Sequence, residues 1–219
     1  STDKIEGSVI WQSWTNYEIL ALLIKRVESF FGRIVNEEEL LMKTPPVLAR
    51  YLDPIMQDRF LGAGHWANAP MDRVIMSLIR KRPRDLVKLC SLAARNARVR
   101  KAQKIQTENF TNIFEEYSQG RLQDTINEFR SELPNIDRLL MNMKPDKIER
   151  QAKLGYVYTT GDLITKIAKV RNLCNFNFTN GRAVTDKSLA AFMYKINFLT
   201  ARKESEKGIV RKYFEESRY

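Results

Sequence analysis

Apolar residues recur at helical spacing early in the chain. Ile19, Leu20, Leu23, Ile24, Val27, Phe30 and Phe31 share one side of a 3.6-residue repeat, and Thr15 with Glu18 forms the capping-box signature that opens such a helix. Gly32 ends it. Asn36 with Glu39 repeats the box ahead of Leu40 and Leu41, and Thr44-Pro45-Pro46 breaks the chain before a helix through Val47, Leu48 and Leu52. Asp53-Pro54 reads as a further restart, because proline at the first helical position gives up an N–H that has no intrahelical acceptor. Residues 61–69, with Gly62 and Gly64, read as a loop, and Pro70 starts a helix through Val74, Ile75, Leu78 and Ile79.

After Pro83 a longer helix carries Leu86, Leu89, Cys90, Leu92, Ala93 and Ala97 on its apolar side, with Asp85 in the first turn where the helix dipole favours an acid. Thr107 is placed to cap a helix through Phe110, Ile113, Phe114 and Tyr117, with continuation past Gly120 through Leu122, Ile126 and Phe129. No strand is expected before Pro134. Beyond it the spacing predicts short helices through Ile136 and Leu140 and after Pro145, a short strand at Tyr156-Val157-Tyr158, and a helix over 162–170. A further helix is capped by Thr185 and carries Leu189, Phe192, Met193 and Ile196. The β-branched and aromatic stretches 198–201 and 209–214 flank a polar turn and read as a hairpin. The fold class is therefore mainly α: a helical bundle over 1–134, then a winged helix-turn-helix with a small β-hairpin over 135–219.

Composition narrows the setting. Apolar residues make up 43% of the 219, enough for a packed core, and no run approaches the roughly 20 apolar residues of a membrane helix. No membrane partner is expected. The two cysteines, Cys90 and Cys174, have no CxxC spacing, which points to a reducing, cytoplasmic setting with neither disulfide framework nor zinc site. The chain starts at Ser1 with no methionine and no apolar signal segment, so it reads as an excised piece of a longer protein.

Charge changes the picture more. The net +11 is blocked: residues 80–104 hold ten basic residues against one acidic, and 150–219 hold fourteen against six, while 1–79 and 105–149 are net negative. Concentrated positive charge creates a field that attracts phosphates and weakens with salt, so DNA is the expected partner. Arg98, Arg100, Lys101 and Lys104 make a basic ridge at a helix end, where cations also suit the dipole. In the last segment Lys187 and Lys195 lie on the candidate recognition helix, and Arg202, Lys203, Lys207, Arg211 and Lys212 on the wing.

Catalytic equipment is missing from the pattern. The single histidine, His65, sits in the glycine-containing loop with no nucleophile or carboxylate placed beside it by any motif, and Glu37 to Glu39 read as helix-start acids. Neither G-x-x-x-x-G-K-[S/T] nor G-x-G-x-x-G occurs. The chain is expected not to be an enzyme and to hold no metal or cofactor. The densest feature is Arg80-Lys81-Arg82-Pro83-Arg84-Asp85, where Arg84 or Arg82 could join the helix N-terminal N–H groups in holding a phosphate; a solvated charge run with Arg84 paired to a local acid is the plain alternative.

Three passages, WTNYEILALLIKRV at 14–27, RKRPRDLVKLCSLAARNA at 80–97 and YSQGRLQDTINEFRSELPNIDRLL at 117–140, resemble the region that follows the nucleotide-binding core in a family of bacterial P-loop ATPases. That family is related to AAA-type and STAND ATPases and associated with defence against phage. The resemblance implies that residues 10–134 form a helical lid on an ATPase core, with Arg84, or else Arg82, as a sensor near the γ-phosphate, and that 135–219 form a winged helix. It also implies an ATPase core as partner in cis or trans, with ATP and magnesium held there, because the phosphate loop and acidic magnesium site are absent here. The function expected is a non-catalytic C-terminal module whose lid couples nucleotide state to a DNA-binding winged helix. The alternative is a module that docks a protein effector or subunit of a defence complex.

Overall fold

The structure, a computed structural model, describes residues 14–64, 66–151, 156–205, 208–212 and 214. His65 lies outside them. The chain is mainly helical and divides into two compact units, Ser1–Arg121 and Leu122–Tyr219. No helix among the described residues is long and apolar enough to cross a membrane.

The first unit opens with α1 (Asn16–Phe30), held by a reciprocal box: the Glu18 amide donates to Thr15 Oγ1 at 3.1 Å and the Thr15 amide to Glu18 Oε2 at 2.7 Å. Ile19, Leu20, Leu23 and Ile24 are buried, as their spacing requires. In α2 (Glu37–Leu41), Asn36 Oδ1 accepts from the Glu38 amide at 2.9 Å, and Glu39 makes no return bond among the described residues, so the second box is only half formed. The Tyr17 hydroxyl donates to the Leu41 carbonyl at 2.7 Å and ties α2 to the start of α1.

After α3 (Pro45–Ala49) and a 3-10 turn over Arg50–Leu52, the chain departs from expectation. Asp53-Pro54 starts no helix. Instead the Gln57 amide donates to the Ile105 carbonyl and the Ile105 amide to the Ile55 carbonyl, both at 2.9 Å, so this stretch is drawn into an extended bridge. A second bridge joins Arg59 and Pro70. These pairings satisfy backbone groups that a helix would have satisfied locally. The unit is completed by α4 (Met71–Ile79), α5 (Pro83–Val99) and the front of α6 (Thr107–Phe129). Leu40, Leu48, Ile75, Ile79, Leu86, Leu89 and Phe110 fill its core.

The second unit takes the remainder of α6, then α7 (Ile136–Asn142), α8 (Lys147–Gln151), α9 (Thr160–Leu173) and α10 (Asp186–Lys195). β1 (Ala201–Ser205) and β2 (Gly208–Lys212) follow and pair antiparallel, Ala201 opposite Lys212. Ile126, Leu133, Leu139, Ile167, Phe178, Leu189, Phe192 and Met193 form a separate core. Residues 156–158 form no strand: they run into the N-cap Thr159, and the Tyr158 hydroxyl meets a lysine.

That lysine, Lys166, is 8% exposed and all three ammonium donors are used, toward Glu149 Oε2, the Tyr158 hydroxyl at 3.1 Å and the Lys144 carbonyl at 3.2 Å. Burial works against its charge, but the hydrogen bonds to Glu149 and Tyr158 outweigh burial and hold its pKa above the usual value. Glu149 is likewise pushed up by burial and brought below its usual value by Lys166 and the Asp146 amide. A raised lysine stabilises fully below 10.5 and loses that contribution as pH climbs through the folded value; a depressed glutamate loses its contribution as pH falls below 4.5. Lys166→Met is therefore expected to destabilise the second unit by about 1–3 kcal/mol at pH 7 and to flatten the alkaline loss of stability. Urea unfolding at pH 7 and above pH 10.5 checks it; an unchanged alkaline limb would contradict the assignment.

Candidate functional site

In the first unit the charge-dense segment forms the turn between α4 and α5. Arg80 (φ 46°, ψ 46°) and Lys81 (φ 58°) both adopt the left-handed conformation. Residues with a Cβ pay roughly 1–2 kcal/mol each for it, so the turn is strained and must be held by its surroundings. Arg82 then stands at the N-cap in extended conformation, Pro83 occupies the first helical position, and Arg84 is exposed on the first turn.

The brace is Asp85. Its carboxylate is 3% exposed as a residue and forms an ion pair with Arg121 of α6, whose side chain is 14% exposed. One residue earlier, Gly120 lies under the Lys88 ammonium, where a Cβ would come within 2.6 Å of the nitrogen. One turn earlier, the Tyr117 hydroxyl donates to the Leu78 carbonyl at 3.3 Å. The run Tyr117 to Arg121 thus clamps the end of α4 and the beginning of α5. Burial pushes the Tyr117 hydroxyl well above its usual pKa and the Cys90 thiol up to about 12, so both stay protonated and unreactive near neutrality. Sequence reading passed over Arg121, which carries no local signal; its partner is 36 positions away.

The basic ridge at the end of α5 is partly consumed. Arg95 binds Glu116 at 2.7 Å, Arg100 lies 3.7 Å from Glu108, and the Lys104 ammonium donates to the Asp53 carbonyl at 2.5 Å. Arg98 and Lys101 are exposed, the latter left-handed at φ 55°. A cleft of about 390 Å³ elsewhere in this unit is lined by Arg50, Arg59 and Arg73 and by Asp53, Asp58 and Asp72, and these equal opposite charges give it no net attraction for a polyanion.

In the second unit Lys187 is exposed on α10, whereas Lys195 holds Glu132 with its ammonium 2.8 and 2.9 Å from the two carboxylate oxygens. Arg171 pairs with Asp186 at 2.7 Å. Arg202 on β1 and Lys212 on β2 are exposed. Lys207 and the side chains of Lys203 and Arg211 lie outside the described residues. Among the described residues no group of three or more His, Cys, Asp or Glu side chains is placed to hold a metal ion.

No curated protein and no solved structure matches the chain. A family described as the FunZ-associated C-terminal helical domain matches residues 17–126, a span that contains all of α1 but its first residue, the braced α4–α5 turn and the Asp85–Arg121 pair. With half of its length inside that match, the chain belongs to the family of FunZ-associated C-terminal helical domains.

Proposed function

We propose that the chain is a non-catalytic C-terminal module of a cytoplasmic P-loop ATPase involved in phage defence, in which a lid formed by the first unit couples nucleotide state to a DNA-binding winged helix formed by the second. The observation that carries the lid reading is the strained turn at Arg80 and Lys81, braced from behind by the buried Asp85–Arg121 pair. Backbone strain of this kind persists where surrounding structure enforces it, and here it fixes the backbone of Arg84 on the first turn of α5, where the residue is exposed. ATP and magnesium belong to the core, which supplies phosphoryl-transfer chemistry; from this chain Arg84, or else Arg82, is the sensor for the γ-phosphate. The boundary between the units falls inside α6, so one continuous helix contributes to both cores and is the carrier of the nucleotide-dependent signal in this reading.

For the second unit, α9 and α10 followed by the β1–β2 pair support the winged-helix reading, and the exposed Lys187, Arg202 and Lys212 support DNA as ligand. Fluorescence anisotropy of the whole chain with labelled duplex DNA over a salt series tests it. Binding that falls linearly in log–log form with salt is expected; no binding at low ionic strength would sink the DNA reading. Protein docking has one observation in its favour: the solvent side of α10 presents Ala191 between Lys187 and a Lys195 already engaged by Glu132. Failure to bind DNA together with capture of a defined subunit of the parent complex would favour it.

A further inference from the structure

The cations of the second unit differ in what they must give up to meet a phosphate. Lys195 would have to leave Glu132, and Arg171 would have to leave Asp186. Arg182 and Lys187 are exposed and form no ion pair with any described carboxylate. They sit at the end of the 174–185 connection and on the first turn of α10; the charge pattern along the helix marks Lys187 but gives no signal for Arg182 in the connection before it.

This connection is polar and exposed, yet firmly tied down. Phe178 is 2% exposed in the core, the Thr179 amide donates to the Glu132 carbonyl at 3.1 Å, and its hydroxyl donates to the Ser131 carbonyl at 2.8 Å. The Asn135 amide group donates to the Asn175 carbonyl at 3.0 Å. At the tip, Gly181 takes φ 74°, the Gly181 amide donates to the Phe178 carbonyl, and Asn180 Oδ1 accepts from the Arg182 amide at 3.1 Å. The Arg182 guanidinium lies 6.0 Å from the Phe178 ring centre. Where the loop enters α10, the Ser188 hydroxyl donates to the Ala183 carbonyl at 3.1 Å, and Thr185 caps the helix. A loop pinned at both ends and at its tip loses little conformational freedom when a ligand settles on it. The one acid in the first turn, Asp186, is neutralised by Arg171, so it does not oppose a phosphate there.

We propose that the tip of this loop and the first turn of α10, through Arg182 and Lys187, grip the phosphate backbone of duplex DNA, and that Lys195 is a structural tie outside the contact. The proposal rests on the DNA-binding reading of the second unit.

The test compares three forms of the whole chain on one labelled duplex over a salt series: the unaltered protein, Arg182→Ala/Lys187→Ala, and Lys195→Ala/Glu132→Ala, which removes a charge pair without changing net charge. The loop variant is expected to bind about tenfold more weakly near 0.1 M salt, with a salt exponent reduced by about 2 because two phosphate contacts are lost. The Lys195/Glu132 variant is expected to keep both affinity and exponent, and circular dichroism verifies the fold of each. If the unaltered chain binds and the loop variant binds equally well, or if the Lys195/Glu132 variant shows the larger drop in exponent, the assignment of the contact is wrong while DNA binding stands. If the unaltered chain does not bind, both fall together.

Discussion

Replacing Arg121 by alanine is expected to destabilise the first unit by about 3–5 kcal/mol, because the Asp85 carboxylate is then left in the interior without its counter-ion. The shift should be read from the denaturant midpoint of tryptophan fluorescence, since Trp14 and Trp66 fall in that unit and no tryptophan follows Arg121 in the sequence. Direction alone does not identify the cause, so a second variant is needed. Arg121→Met with Asp85→Leu removes both charges while keeping most of the volume, and apolar replacement of a buried pair is often close to neutral. Recovery of most of the loss would show that the stranded charge was responsible. An Arg121→Ala change within about 0.5 kcal/mol of the unaltered protein would show the pair to be solvated and the brace behind the Arg80–Lys81 turn to be absent.

Asp85 also shows where sequence reasoning stops. From the sequence it is an acid in a first turn, well placed for the helix dipole, and that reading is locally sound. Its larger role comes from Arg121, and nothing in a linear pattern marks two charges 36 positions apart as partners. Local devices were legible for the opposite reason: the Thr15–Glu18 box and the Thr185 cap act within four residues, so spacing alone specifies them. Asp53-Pro54 carries a sound local signal that tertiary pairing overrides, because the Ile105 backbone supplies the hydrogen-bond partners of Ile55 and Gln57.

The candidate contacts follow the same division. Charge blocks are visible in composition, and Lys187 is exposed as its position on the helix implies. Which lysines are already engaged is not visible: Lys195 is 63 positions from Glu132, and Lys166 is surrounded by groups from three segments. The boundary between the units was hidden as well. Apolar spacing continues unbroken from Phe110 to Phe129, so one helix is correctly read, but the transfer of its buried side from one core to the other at residues 121 and 122 leaves no break in the pattern.

The separate cores lead to the second large effect. Phe192 is 2% exposed and its ring centre lies 5.6 Å from that of Phe178 and 6.2 Å from that of Phe129, so Phe192→Ala opens a cavity at the centre of the second unit. Truncation of a buried phenylalanine destabilises by about 3–5 kcal/mol. No tryptophan lies in this unit, so fluorescence remains blind to its unfolding while far-ultraviolet circular dichroism records the loss of α7, α9 and α10. The expected result is therefore two probes that part company: an early phase in circular dichroism, and a tryptophan transition at the midpoint of the unaltered protein. Because α6 contributes residues to both cores, some coupling through that helix would appear as a small fluorescence shift, less than the circular-dichroism shift. If instead both probes move together by the full amount, the two cores unfold as one cooperative block, and the loss of Phe192 is felt as far as the Asp85–Arg121 brace.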